Sequence, residues 1–166
     1  VVTLSSSGTG VFTAGGVQTV SGGLATFNTA NYTKAEVGFT VNASSEPAYT
    51  APGASAPVTV VAGAATKMLW VAQPGIAQIA GTVWAPFTIE VTDTYGNRRL
   101  TDNATVVTLS SSGTGVFTAG GVQTVSGGLA TFNTANYTKA EVGFTVNASS
   151  APAYTAPGAS VSVTVV

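Results

Sequence analysis

The sequence contains no histidine and no cysteine. The first absence removes the commonest general base and a usual zinc ligand; the second removes the thiol nucleophile and any disulfide staple. Charge is also scarce: 7% of the 166 residues are charged, and the formal net charge is −1. There is no basic cluster, so no nucleic-acid surface and no anionic-membrane surface is implied. No apolar run approaches the ~20 residues that cross a bilayer as a helix, so no membrane insertion is expected. Strong helix formers are few, with a single methionine in the chain.

What remains is apolar and rich in turn formers. Hydrophobic residues make up 45% of the chain, with 20 glycines and 7 prolines. That apolar content excludes an ordinary disordered tail. Val and Thr favour strands, whereas Gly and Ser favour turns. A surface with so few charges must be covered by Thr, Ser and Asn, a pattern commoner outside the cell than in the cytosol. The composition therefore predicts an all-β, extracellular or cell-surface protein.

The chain repeats itself. Val1-Val2-Thr3-Leu4-Ser5-Ser6-Ser7 returns as Val106-Val107-Thr108-Leu109-Ser110-Ser111-Ser112, an offset of 105 residues that holds without a gap to Val166. Of the 61 residue pairs only three differ (Glu46 and Ala151, Ala56 and Val161, Pro57 and Ser162), so 58 are identical. Residues 62–105 occur once. A period of this length suits a self-contained domain and is too long for a solenoid. The sequence predicts residues 62–166 as one complete module and residues 1–61 as the C-terminal part of another, lacking its first two strands. The connector Ala62-Gly63-Ala64-Ala65 reaches at most about 14 Å. A seven-residue strand is about 23 Å long. The connector therefore cannot return along a sandwich and is expected to lead stiffly into the next module. The missing strands are expected either upstream in a longer array or on another chain, by β-augmentation.

Eight candidate strands lie in the complete module: residues 66–72, 86–92, 104–110, 115–119, 122–125, 129–133, 141–147 and 161–166. The clearest is 86–92, with Phe87, Ile89 and Val91 on one face and Thr88, Glu90 and Thr92 on the other. Val142, Phe144 and Val146 are expected inward, as are Val161, Val163 and Val165. Gly120-Gly121 and Gly127-Gly128, with Gly15-Gly16 and Gly22-Gly23 before them, are read as hairpin turns. Short strands between Gly, Pro and Asn predict a sandwich or barrel.

The run Gly81-Thr82-Val83-Trp84-Ala85-Pro86-Phe87-Thr88-Ile89-Glu90-Val91-Thr92-Asp93-Thr94-Tyr95-Gly96-Asn97 resembles the strand and turn of bacterial Ig-like repeats of the invasin/intimin type. Gly128-Leu129-Ala130-Thr131-Phe132 and Val142-Gly143-Phe144-Thr145-Val146 are similar to that family's second half. The resemblance spans the module. It implies an Ig-like antiparallel β-sandwich of about seven strands, repeated in tandem, in a stalk or adhesin, with no catalytic residues.

Candidate sites are sparse. Glu90, Asp93, Asp102 and Glu141 read first as solvated surface charges. Asp93, Asn97 and Asp102 are candidate oxygen ligands for calcium, although calcium takes six to eight oxygens. The simpler reading is a turn in which Asp93 caps the backbone and Gly96 takes positive φ. Arg98-Arg99 reads as a solvated edge. Trp70, Trp84 and Tyr95 are read as core or junction packing ahead of a sugar-binding platform. Tyr137 and its counterpart Tyr32 are candidates for a tyrosine corner. Glycosylation sequons begin at Asn31, Asn42, Asn103, Asn136 and Asn147. Three functional readings follow: a semi-rigid spacer in a stalk, adhesin or fibre; a fibre subunit joined by strand donation between chains; or a module binding a host or matrix glycan or protein. The expected partners are neighbouring identical modules or chains.

Overall fold

The computed structural model describes all residues from Val1 to Val166, and no helix is present. The chain divides into two compact units, Val1–Ala62 and Gly63–Val166. Unit 1 holds β1 (Val2–Ser6), β2 (Phe12–Ala14), β3 (Val17–Gln18), β4 (Asn31–Tyr32), β5 (Glu36–Phe39), β6 (Val41–Ser45) and β7 (Val58–Val60). Unit 2 begins with β8 (Lys67–Ala72), β9 (Ala77–Gln78) and β10 (Phe87–Thr92). It continues with β11 (Val106–Ser111), β12 (Phe117–Ala119), β13 (Val122–Thr124), β14 (Leu129–Phe132) and β15 (Asn136–Tyr137). It closes with β16 (Glu141–Phe144), β17 (Val146–Ala151) and β18 (Val163–Val165).

In unit 2 the strands form sheets ordered β14-β10-β8, β13-β11-β17, β16-β18-β9 and β12-β15. All pairings are antiparallel except that of β18 with β9. Alternate residues of these strands converge on one core: Phe87, Ile89 and Val91 of β10, Val107 and Leu109 of β11, Ala130 and Phe132 of β14, Val146 and Ala148 of β17. Met68, Trp84, Tyr137, Phe144, Val163 and Val165 complete it. The arrangement is all-β and consistent with a β-sandwich.

The alternation in 86–92 predicts β10 correctly, because a strand buried on one face shows a period of two. Other expectations need correction. Unit 2 has eleven short strands where about seven were expected. Residues 141–147 are two strands, not one: β16 pairs with β18, and β17 pairs with β11. Gly143, inside β16, lies in the left-handed region at φ +77°. Its kink breaks the alternation, so Val142 points outward at 82% exposure while Phe144 and Val146 stay buried. Val161 is exposed ahead of β18. The Gly120-Gly121 pair is not a hairpin, since β12 pairs with β15 and β13 with β11. It is a corner between sheets. Gly120 has φ +63°, and a Cβ there would meet the Thr134 carbonyl at 2.3 Å, so only glycine fits. Gly127-Gly128 does reverse the chain. Both glycines have positive φ, and Ser126 and Leu129 exchange two backbone hydrogen bonds of 2.9 and 3.1 Å.

Unit 1 repeats the internal registers of unit 2. Val2 pairs with Ser45 as Val107 does with Ser150, Phe12 with Tyr32 as Phe117 does with Tyr137, and Glu36 with Val60 as Glu141 does with Val165. Burial repeats at Phe39, the counterpart of Phe144, but is lost at most other core positions. Val125 is 3% exposed, whereas its counterpart Val20 is 42% exposed. Phe132 and Tyr137 are fully buried, while Phe27 and Tyr32 are only half-buried. Residues 24–27, identical to Leu129–Phe132, form no strand. The missing ingredient is β8, β9 and β10, which have no counterpart in unit 1.

Both tryptophans, Trp70 and Trp84, lie in unit 2, so fluorescence unfolding in urea reads that unit alone. Phe132→Ala should lower the stability of this transition by about 3–5 kcal/mol, the usual range for a buried aromatic. Phe27→Ala should leave it within about 0.5 kcal/mol. Equal losses would contradict selective burial of the second copy.

Candidate functional site

The polar side chains that do structural work are carboxylates folded back onto turns. Glu141, at the start of β16, reaches across to the turn between β11 and β12. Its Oε2 accepts the Thr114 amide at 3.0 Å and the Thr114 hydroxyl at 3.1 Å; its Oε1 accepts the Gly115 amide at 3.0 Å. The Tyr137 hydroxyl also donates to Oε1, and Lys139 Nζ donates to the Thr114 hydroxyl. The flanking glycines follow from this. A Cβ on Gly113 would lie 2.3 Å from the Glu141 carboxylate, and one on Gly115 would lie 2.5 Å from the Tyr137 hydroxyl. With the Tyr137 bond as the largest cause and the two amides next, the Glu141 carboxyl is lowered to about 2. Burial, then the bond to Glu141, pushes the Tyr137 phenol up. Unit 1 builds the same clip from Glu36, Tyr32, Thr9 and Gly10, and Glu36 is likewise lowered to about 2. The Tyr137 hydroxyl meets the side chains of Ser111 and Glu141. It also meets the backbone of Gly115, in the turn after β11, whereas a tyrosine corner bonds backbone only a few residues upstream.

Asp93 directly follows β10 and is nearly fully buried. Its Oδ1 accepts the Tyr95 and Asn97 amides, both at 2.9 Å. Its Oδ2 accepts the Gly63 amide at 3.0 Å and Asn97 Nδ2 at 2.9 Å. Burial raises its carboxyl, but the Asn97 side chain and the three amides outweigh burial and hold it below the usual range. Gly96 has φ +88°, so the turn has the geometry the sequence predicts. Arg99, half-exposed at the edge as expected, also donates Nη1 to the Gly63 carbonyl at 2.8 Å. Asp102 closes a separate loop. It accepts the Ala104 amide at 3.0 Å, the Thr105 amide at 3.1 Å and the Thr105 hydroxyl at 2.7 Å. These donors and the Arg99 charge overcome burial and lower its carboxyl.

Asp93 and Asn97 therefore come together, but they meet each other, while Asp102 caps its own loop. Four internal donors already meet the Asp93 carboxylate and three meet that of Asp102. No group of three or more acidic, histidine or cysteine side chains converges to hold a metal.

The aromatic residues do not form one platform. Trp84 is buried against Phe117, with ring centroids 5.3 Å apart, and against Tyr137 at 6.0 Å. Trp70 is half-buried and donates Nε1 to the Gly158 carbonyl at 2.7 Å. Tyr95 is exposed.

The sequons differ in their surroundings. Asn31 is exposed in β4, and Asn42 and Asn147 lie half-buried in β6 and β17. Asn103 is exposed and accepts the Gly127 amide at 2.8 Å. Asn136 donates Nδ2, the atom a glycan would need, to the Gly81 carbonyl at 2.9 Å, and its Oδ1 is buried without a partner. The segment ahead of β10 thus covers in unit 2 the sequon that stands exposed in unit 1.

No protein-family model matches the chain, and no curated protein matches it.

The clips predict an acid limb in stability. The carboxyls of Glu141, Asp93 and Asp102 are all depressed on folding. Their contribution is fully present above the unfolded values near about 4 and is lost as pH falls below them, for Glu141 toward about 2. In fluorescence melts from pH 7 to 2, Glu141→Gln should flatten this limb while leaving the neutral-pH fold intact. An unchanged limb would refute the clip. Asp93→Ala strands the Gly63, Tyr95 and Asn97 donors and should destabilise unit 2 by about 1–3 kcal/mol in urea.

Proposed function

We propose that this chain is a non-catalytic structural repeat of an extracellular stalk, adhesin or surface fibre, built from tandem Ig-like modules and acting as a semi-rigid spacer. The observation that carries the reading is the repeat itself: 58 of 61 paired residues are identical, with the same internal strand registers. A spacer gains length from each copy and needs no variation between copies, whereas a binding surface is served by one specialised module. The resemblance to invasin/intimin-type repeats supports the same reading.

Two features of unit 2 favour it. Its depressed carboxylates are tied to turn amides, which suits rigidity more than proton transfer. Its entry segment is anchored at both backbone groups of Gly63, the amide by Asp93 and the carbonyl by Arg99. Anchoring the connector to the module body shortens the free linker and so limits swing. The low charge and the Thr- and Ser-rich surface support an extracellular setting. The partners on this reading are neighbouring modules, with a host or matrix glycan or protein left to other parts of the parent array.

Arrays of one, two and three copies of residues 62–166 test the proposal by small-angle X-ray scattering. The maximum dimension should grow by equal increments per copy. Growth as the cube root of mass, the signature of collapse into a globule, would sink it. Asp93→Ala together with Arg99→Ala should broaden the distance distribution of the three-copy array.

A further inference from the structure

Unit 1 presents, uncovered, a face that unit 2 presents covered. In unit 2 the covering segment is positioned by backbone hydrogen bonds. Met68 N–H donates to the Thr155 carbonyl at 2.8 Å, and Thr155 N–H donates to the Thr66 carbonyl at 3.0 Å. Trp84 N–H donates to the Ala135 carbonyl at 2.9 Å. Phe87 to Glu90 pair with Phe132 to Leu129, and Ala77–Gln78 runs parallel to Thr164 and Val165. Moved back by the 105-residue offset, these anchor points fall on Thr50, Ala30, Phe27 to Leu24, Thr59 and Val60, each identical to its counterpart.

Those points stand ready in unit 1. β7 pairs with β5 on one edge only, where the equivalent β18 has both edges filled. An open, apolar-walled cavity of about 280 Å³ is lined by Val2, Ala43, Tyr49, Thr50, Ala51 and Pro52. In unit 2 the counterparts Val107, Ala148 and Tyr154 pack in or against the core that Met68 completes. The Phe12–Tyr32 and Tyr32–Phe39 ring contacts, at 5.4 and 4.5 Å, reproduce those that Trp84 covers in unit 2.

We infer that this face is a receptor for a further copy of the residue 66–103 sequence, docked in that register. The covering segment is chemically specified: Met68 for the cavity, Trp84 over Phe12 and Tyr32, and Phe87 and Ile89 against residues 24–27. The chain holds two such faces and one such segment, and the segment is in use in unit 2. A second copy of residues 1–166 that donated its own segment would open its own unit 2 and gain nothing net. The occupant is a copy of the segment with no acceptor of its own. The inference needs the two faces and not the spacer role. An array that failed to extend linearly would leave the docking result unchanged.

The full 166-residue chain is titrated with a synthetic peptide of residues 63–105, and amide exchange of residues 1–61 is followed by mass spectrometry. One peptide should bind per chain and slow exchange in residues 1–61 at least ~10-fold, which is about 1.4 kcal/mol of added local stability. A peptide carrying Phe87→Asp and Ile89→Asp should not bind. Because a free peptide can self-associate, the same readout is applied to the chain extended upstream of Val1 by residues 62–105, where residues 1–61 should reach the protection of residues 106–166. Unchanged exchange in both formats would overturn the inference, as would equal binding of the double-Asp peptide. Protection of residues 1–61 by self-association of the chain alone would also overturn it, by naming a different occupant.

Discussion

Everything in this molecule depends on the burial of one strand, β10, whose Phe87, Ile89 and Val91 fill the centre of the unit 2 core. Each is fully removed from solvent. Burying a side chain of this size contributes roughly 1.5–3 kcal/mol. The chain contains its own control experiment, because nearly the same 61 residues occur with residues 63–105, β10 among them, and without them. With them, residues 129–132 form a strand, Val125 and Tyr137 close over, and Asn136 is tied to Gly81. Without them, the identical residues in unit 1 keep their local pairings and lose their shelter.

This separates two layers of specification. Hydrogen-bonded registers and the carboxylate clips belong to the repeat alone, since β1 with β6 and Glu36 with Thr9 and Gly10 recur in both copies. Burial of the core belongs to the joint product of the repeat and residues 63–105. A sheet edge or inner face left without its partner retains its pattern of donors, acceptors and apolar side chains. That is why the uncovered face in unit 1 can be read as a negative of the segment that covers unit 2.

The same division explains what was legible in the sequence. β8, β10, β11 and β14 could be found because each is long enough, or alternates clearly enough, to show its period. β9 and β15 are two residues each and carry no period at all. The 141–147 region misleads because Gly143 turns the backbone left-handed and resets which side chains point inward. Among polar residues, the Asp93 turn was legible because its partners Tyr95 and Asn97 lie within four residues, while its bond to the Gly63 amide, 30 residues back, was not. The Glu141 clip was not, since Thr114 is 27 residues away and Glu141 by itself looks like any surface acid. The Gly113-Thr114-Gly115 spacing, with Tyr137 four residues before Glu141, was the only trace of it. Asn136 shows the limit of a motif: Asn-Tyr-Thr occurs twice, and only the surrounding chain decides whether its amide is free.

The central claim is that identical sequence is protected in one copy and not in the other because only one copy is covered by residues 63–105. Residue-resolved amide hydrogen exchange on the unmodified chain, comparing the identical pairs in which both residues carry an amide N–H, tests it most directly. The account predicts slow exchange for the core strands of residues 106–166 and much faster exchange for their counterparts, most clearly Phe132 against Phe27 and Val125 against Val20. Equal protection across the pairs would contradict it.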